Sequence, residues 1–108
     1  MKLVNLTPHT ITLVLDGATI VVEPAGTVAR VMQQETVKRV VDVDGVPVPV
    51  MEPKFGDVEG LPDPEDGTMF IVSRMVKGAV PNRDDVVVPG KQLRDAEGRI
   101  VGAAALSL

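Results

Sequence analysis

The stretch from Thr68 to Val80, TMFIVSRMVKGAV, places the most apolar short run of the chain directly before a helical pattern. Residues 68–72 combine β-branched and aromatic side chains, which is typical of a buried strand. Ser73 is a preferred residue type for a helix N-cap, and the apolar residues after it recur at helical spacing. Pro81 ends the pattern, because a proline disfavours helical geometry in the residue before it. The stretch therefore predicts a strand that is followed at once by a short helix.

Turn-forming residues divide most of the remaining chain into short, valine-rich strands. Asp16-Gly17 and Asp44-Gly45 each predict a tight hairpin turn between two such strands. Strands are predicted over residues 1–5, 11–15, 19–23, 27–32, 37–43, 46–51, 68–72, 86–88 and 99–105. The pattern predicts an α+β fold, in which a mostly antiparallel sheet of hairpins carries one short helix on a face.

Several segments between the strands are predicted as irregular structure. The polar residues Gln33–Thr36 suit a loop or a bulge, and the Pro-, Gly- and acid-rich stretch 52–67 suits a long ordered connection. Pro89-Gly90 is a strong turn signal. Pro47 and Pro49 lie two residues apart, so their missing N–H groups point the same way, as on an edge strand or in irregular structure. The length of 108 residues predicts a single domain over 1–108.

Composition excludes several classes of function. A formal net charge of −4 argues against a protein that coats nucleic acid through bulk charge. The chain has no cysteine and one histidine, and no acidic spacing matches a calcium loop, so we expect neither a metal site nor a cofactor. No apolar run approaches the roughly 20 residues of a spanning helix, and the N-terminus lacks a signal-peptide pattern. We therefore expect no membrane partner and a location in the cytoplasm.

The chain is poor in aromatic residues, with Phe55 and Phe70 as its only two. The core must therefore be aliphatic, and a lone protomer of this size would be marginally stable. We expect a homo-oligomer that buries further apolar surface. A base-stacking platform for long single-stranded nucleic acid is disfavoured for the same reason.

The first candidate site is the segment Asn5-Leu6-Thr7-Pro8-His9-Thr10, which gathers an amide, two hydroxyls and the single imidazole around a bend. An imidazole here could contact a phosphate, or act as an acid or base near neutral pH. In the alternative interpretation, Asn5 and Thr7 satisfy backbone groups at a strand break and His9 is simply exposed. No nucleophile or second catalytic base accompanies His9, so no catalytic residue is predicted.

The second candidate site is a set of charged side chains around the helix and the final hairpin. Guanidinium groups bind phosphate bidentately, and neighbouring carboxylates can hold them in place or accept ribose hydroxyls. With His9 and Asn5 at its edge, the predicted ligand site comprises Arg74, Lys77, Arg83, Asp85, Arg94 and Arg99. We expect Arg74 and Lys77 on the side of the helix away from the core. In the alternative interpretation, the arginines lie on hairpin rims and the aspartates form turns.

Two parts of the chain carry a resemblance to known proteins. The opening Asn5-Leu6-Thr7-Pro8-His9 resembles the start of small uncharacterised proteins of bacteria and their phages. The tail does so too, through Arg83-Asp84-Asp85-Val86, Val88-Pro89-Gly90 and Gly98-Arg99-Ile100-Val101-Gly102. In size, acidity and expected oligomerisation the chain is similar to phage anti-defence proteins of the Thoeris anti-defence type, which sequester nucleotide signals.

That resemblance implies a non-enzymatic phage anti-defence protein. It would bind a small phosphorylated cyclic nucleotide signal, between protomers of the oligomer, and sequester it as a sponge. Two alternatives belong to other classes. The chain could be a structural or protein-binding module, such as a small virion component or a protein inhibitor. It could also hydrolyse a nucleotide phosphoester with His9 as the base, although it has no phosphate-binding glycine loop and no nucleophile elbow.

Overall fold

The computed structural model describes the backbone of residues 1–108 and every side chain except that of Phe55. Strand accounts for 59% of the chain and helix for 6%, so the fold is largely β. Its elements are β1 (Lys2–Asn5), β2 (Ile11–Leu15), β3 (Ala18–Val22), β4 (Arg30–Val43), β5 (Val46–Glu59), β6 (Thr68–Ile71), α1 (Arg74–Ala79), β7 (Val86–Arg94) and β8 (Ile100–Ser107).

The prediction of an α+β fold with a mostly antiparallel sheet is wrong. The main sheet has six strands in the order β1-β6-β7-β8-β2-β3, and it mixes directions. The β1–β6, β6–β7 and β8–β2 pairs are parallel, whereas β7–β8 and β2–β3 are antiparallel. Residues 72–85, which include the helix, form a crossover of the length that parallel neighbours require. Turn motifs such as Asp-Gly predict pairing between strands that are adjacent in sequence. They do not predict a crossover that joins two parallel strands.

The main sheet is nearly closed on itself. Its two outer strands, β1 and β3, approach each other where an isolated parallel bridge joins Asn5 to Pro24. The backbone N–H of Ala25 donates to the carbonyl oxygen of Asn5 at 2.9 Å. This contact leaves little open sheet edge in the body of the protein.

Strands β4 and β5 form a separate two-stranded hairpin, which we call the arm. Asp44 and Gly45 at its tip have positive φ angles of 53° and 85°, as a type I′ turn requires. Both strands run for 14 residues, so the predictions of a loop at Gln33–Thr36 and of a connection starting at residue 52 are wrong. The alternative of a bulge is closer, because register shifts lie directly on either side of that segment, between Val31 and Gln33 and between Val37 and Arg39.

The arm makes the molecule elongated. The principal dimensions are 63 × 39 × 23 Å and the radius of gyration is 18.1 Å. A compact domain of this length has a radius of gyration of about 13 Å. Among the described side chains of the arm, only Val31 and Val58 at its base pack against the core cluster. Most of the arm is therefore surrounded by solvent.

The core lies between the main sheet and the helix. Its buried members are Leu6, Ala29, Phe70, Val72, Val76, Val86 and Val88. Residues 86–88, predicted as a short strand, form the buried start of a longer strand β7. That strand continues through Pro89-Gly90, so the turn predicted there is wrong. Because β6 pairs only with Val86 and Val87, the missing N–H of Pro89 falls beyond the end of that neighbour.

The helix begins where predicted but shows a different face to the core. The Ser73 hydroxyl accepts a hydrogen bond from the backbone N–H of Val76 at 3.4 Å, which confirms the N-cap. Met75 is 51% exposed, whereas Lys77 is only 9% exposed. The expectation that Lys77 lies away from the core is wrong, because its ammonium group donates to the carbonyl oxygen of Arg83 at 2.7 Å. This bond satisfies the charged end while the aliphatic stem is buried.

We expect Phe70→Ala to lower the free energy of unfolding by about 3–5 kcal/mol, because Phe70 is buried in the core and its loss leaves a cavity. Val21→Ala, at a valine that is 56% exposed on β3, is the control and should cost less than about 0.5 kcal/mol. Chemical denaturation measures both, and similar losses would contradict this assignment of the core. The Phe55 side chain lies outside the described residues, so the expectation that Phe55→Ala costs less than Phe70→Ala stays a prediction.

Candidate functional site

The Asn5 side chain lies at the point where the main sheet closes. It is 1% exposed, and its Nδ2 donates to the carbonyl oxygens of His9 at 2.7 Å and Val22 at 3.0 Å. Its Oδ1 accepts from the backbone N–H of Thr7 at 3.0 Å and from the Thr7 hydroxyl at 2.6 Å. Both amide hydrogens and both acceptor positions are used. Asn5 therefore has no hydrogen-bonding group left to offer a ligand.

The backbone around Asn5 holds three parts of the chain together. The N–H of Leu6 donates to the carbonyl oxygen of Ile71 at 2.9 Å, and the carbonyl oxygen of Leu6 accepts from the N–H of Ala29 at 3.0 Å. Asn5 and Thr7 satisfy backbone groups at the strand break, while His9 is exposed. This arrangement is the second of the two interpretations that the sequence left open.

Arg83, Asp85 and Lys77 form a second cluster beside the helix. The Arg83 Nε and Nη2 atoms donate to the two carboxylate oxygens of Asp85 at 3.1 and 2.6 Å, and Nη1 donates to the carbonyl oxygen of Pro62 at 3.0 Å. The hydrogen bonds from Arg83 lower the pKa of the Asp85 carboxyl below its usual value. The guanidinium carbon also lies 6.0 Å from the centre of the Phe70 ring. Arg83 thus anchors the chain before β6 to the start of β7.

Arg94 and Arg99 lie apart from that cluster, at the turn between β7 and β8. Arg94 Nη1 donates to the carbonyl oxygen of Gly98 at 2.7 Å, and Arg99 Nη2 lies 3.4 Å from a carboxylate oxygen of Glu97. Asp95 Oδ1 accepts from the N–H groups of Glu97 and Arg99 at 2.9 and 3.0 Å. These side chains stabilise an exposed turn.

Two of the predicted ligand residues do share one groove. His9 and Arg74 line a groove of about 420 Å³, together with Ser73 and Gln92. A second groove of about 370 Å³ adjoins it along the sheet and also contacts His9 and Gln92. The predicted site is therefore divided among the Asn5 network, the Arg83 cluster, the β7–β8 turn and this groove.

Sequence reasoning missed a different surface, on the outer part of the arm. Residues 39–50, which we call the distal arm, pair in a regular antiparallel register. Directly paired residues share a face, so one face carries Val41, Val43, Val46, Val48 and Val50, which we call the valine face. Val43 and Val46 are 50% and 59% exposed. The alternation of valines around Asp44-Gly45 was visible in the sequence, but it did not show that both faces remain uncovered.

The comparisons with family models, with curated proteins and with solved structures found no match to this chain. Among the residues whose side chains are described, no group of three or more His, Asp or Glu is placed to hold a metal ion. In the same part of the chain, no helix is long and apolar enough to cross a membrane.

We expect Asn5→Ala to lower the free energy of unfolding by about 2–3 kcal/mol, because the carbonyl oxygen of Val22 and the N–H of Thr7 lose their hydrogen-bond partner. Asn82→Ala is the matched control, since Asn82 is exposed in a turn. Thermal and chemical denaturation measure both variants. Equal stability of the two would show that the Asn5 network does not hold the sheet closed.

Proposed function

We propose that this protein is a non-enzymatic interaction module that binds a protein surface through its arm. The observation that carries this proposal is the exposure of the distal arm, where valines occupy six of the twelve positions of a hairpin with no covering layer. An isolated two-stranded hairpin is marginally stable in water at best. Large apolar patches rimmed by polar residues mark interaction surfaces. A partner that covers the valines would stabilise the arm and bury the patch.

The faces of the arm suit this role better than its edge. Pro47 and Pro49 pair opposite Asp42 and Val40, and as prolines they donate no N–H to a further strand. The sequence-based expectation of an edge strand is met, because β5 has only β4 as a neighbour. An incoming strand would find the β5 edge interrupted. On the β5 side of the arm, binding through the apolar faces is therefore favoured over extension of the sheet.

The first experiment replaces residues 38–50 by Asn-Gly, so that the pair Val37 and Met51 is joined by a two-residue hairpin turn. We expect the melting temperature to change by less than about 4 °C, which corresponds to about 1 kcal/mol or less for a domain of this size. The measurement is made at high dilution, so that association does not contribute. Loss of cooperative unfolding would show that the arm is part of the fold, and the proposal would fall.

A second candidate function is the sequestration of a small phosphorylated nucleotide. The observation that favours it is the groove of about 420 Å³ that both His9 and the exposed Arg74 line. Arg74 forms no ion pair among the described side chains. Arg83 and Arg94 already donate hydrogen bonds to groups of this chain, and Arg99 forms an ion pair with Glu97, so we place the phosphates nearer to Arg74.

This second candidate predicts that a panel of cyclic mono- and dinucleotides contains at least one that raises the melting temperature. Arg74→Ala should then weaken binding about tenfold to a hundredfold, the loss expected for one charge-assisted hydrogen bond. Arg99→Ala is the matched control. Release of intact nucleotide on heating supports sequestration, whereas release of a hydrolysed product would indicate an enzyme. A larger loss with Arg99→Ala than with Arg74→Ala would contradict this placement of the ligand.

A further inference from the structure

The valine face is a flat apolar strip with an opposite charge at each end. Val41 pairs with Val48, and Val43 pairs with Val46 next to the turn. Arg39 pairs with Val50 on the same face, at the end nearer the body. Asp44 lies at the tip, in the turn. Neither Arg39 nor Asp44 forms an ion pair among the described side chains.

We propose that the occupant of the valine face is the same face of a second copy of this chain. The two arms pack face to face and run in opposite directions, so that a two-fold axis passes through the middle of the strip. This inference rests on the proposed function and names the partner that the arm binds. It also specifies the surface through which the chain forms the homo-oligomer expected from its aromatic-poor composition.

The chemistry of the strip favours a second copy over an unrelated protein. In a two-fold dimer both subunits contribute the same patch, so the patch must be complementary to itself. A row of β-branched side chains on a twisted hairpin meets this condition, because two sheets pack about 10 Å apart through interdigitating side chains. The strip carries no aromatic side chain, whereas aromatic and arginine anchors dominate many interfaces between different proteins.

The charges select the direction of packing. In the antiparallel arrangement the tip of one arm lies over the inner end of the other, so Arg39 meets Asp44 of the partner subunit. The two-fold axis creates this pair twice. In a parallel arrangement Arg39 would face its own copy, and so would Asp44, and like charges placed opposite one another are destabilising.

The size of the strip sets the expected strength. The valine face and Arg39 amount to six residues per copy, which is below the about 20–30 residues per partner of a standard interface. The dimer should therefore be weak and reversible, with a dissociation constant on the order of micromolar. Association should depend visibly on concentration.

The test is sedimentation equilibrium of the full chain between about 5 and 500 µM, a range chosen to span a micromolar dissociation constant. We expect the mass to rise from 11.4 kDa toward that of a dimer as the concentration increases. A mass of 11.4 kDa throughout would overturn the proposal. The replacement of residues 38–50 by Asn-Gly tests a different point, namely whether the body folds without the distal arm. A chain that stays monomeric would therefore rule out a second copy as the partner, while the proposal that the arm binds another protein would stand.

Two sets of variants locate the interface. Val48→Asp places a charge in the middle of the strip and should raise the dissociation constant about a hundredfold or more. Its control is Val21→Asp, at an exposed valine on β3, which should dimerise like the unaltered chain. Dimerisation that survives Val48→Asp, or is lost equally with Val21→Asp, would overturn the assignment of the valine face.

The direction of packing is tested by a charge exchange. Arg39→Glu alone should weaken the dimer about tenfold or more, because two repulsive pairs replace two attractive ones. Adding Asp44→Lys in the same chain should restore association, since the opposite charges again meet across the antiparallel interface. Any backbone strain of lysine at this positive φ exists equally in monomer and dimer. Failure of the double variant to associate better than Arg39→Glu would overturn the antiparallel arrangement.

Discussion

The hydrogen-bond network of the buried Asn5 amide is the interaction on which the rest of the structure depends. One side chain joins the end of β1 to the carbonyl oxygens of Val22 and His9, and thereby brings the two outer strands of the main sheet together. All four of its hydrogen-bonding positions are used, and the side chain is buried, so an unpaired polar group there would be costly. The main sheet is thus closed, and the polar groups of Asn5 at the closure are hydrogen-bonded, without any contribution from the distal arm.

This closure explains why so small a chain can maintain a projecting hairpin. Phe70, the valines of β7 and the helix fill one side of the sheet, and only the base of the arm adds to them. The distal arm contributes little to that core, so its valines are not explained by folding of the body. We propose that they serve association, because a covering partner would remove apolar surface from water at about 25 cal/mol per Å².

The sequence predicted local structure well and distant pairing poorly. Asp16-Gly17 and Asp44-Gly45 both form hairpin turns, and Ser73 caps the helix, because each of these features depends on adjacent residues alone. The parallel pairing of β6 with β7 depends on a crossover that no local pattern encodes. Residues 52–59 resembled a loop through their prolines and charges, yet pairing with β4 keeps them extended.

The candidate site shows the same division. Proximity in sequence identified Arg83 and Asp85 as partners, and they do form a bidentate pair. It could not show that Lys77 turns inward or that Arg94 and Arg99 stay in a separate turn, because these positions follow from the path of the chain. Likewise, alternation in a strand indicates two faces but not whether another layer covers them.

We propose that the body is stable by itself, whereas the distal arm is stabilised only by what it binds. Hydrogen–deuterium exchange of the intact protein at about 5 and 500 µM, the limits between which we expect it to dimerise, tests this proposal. We expect strong protection of residues 70–72 and 86–88 at both concentrations, and protection of residues 39–50 only at the higher one. Protection of the distal arm equal to that of the body in dilute solution would contradict it.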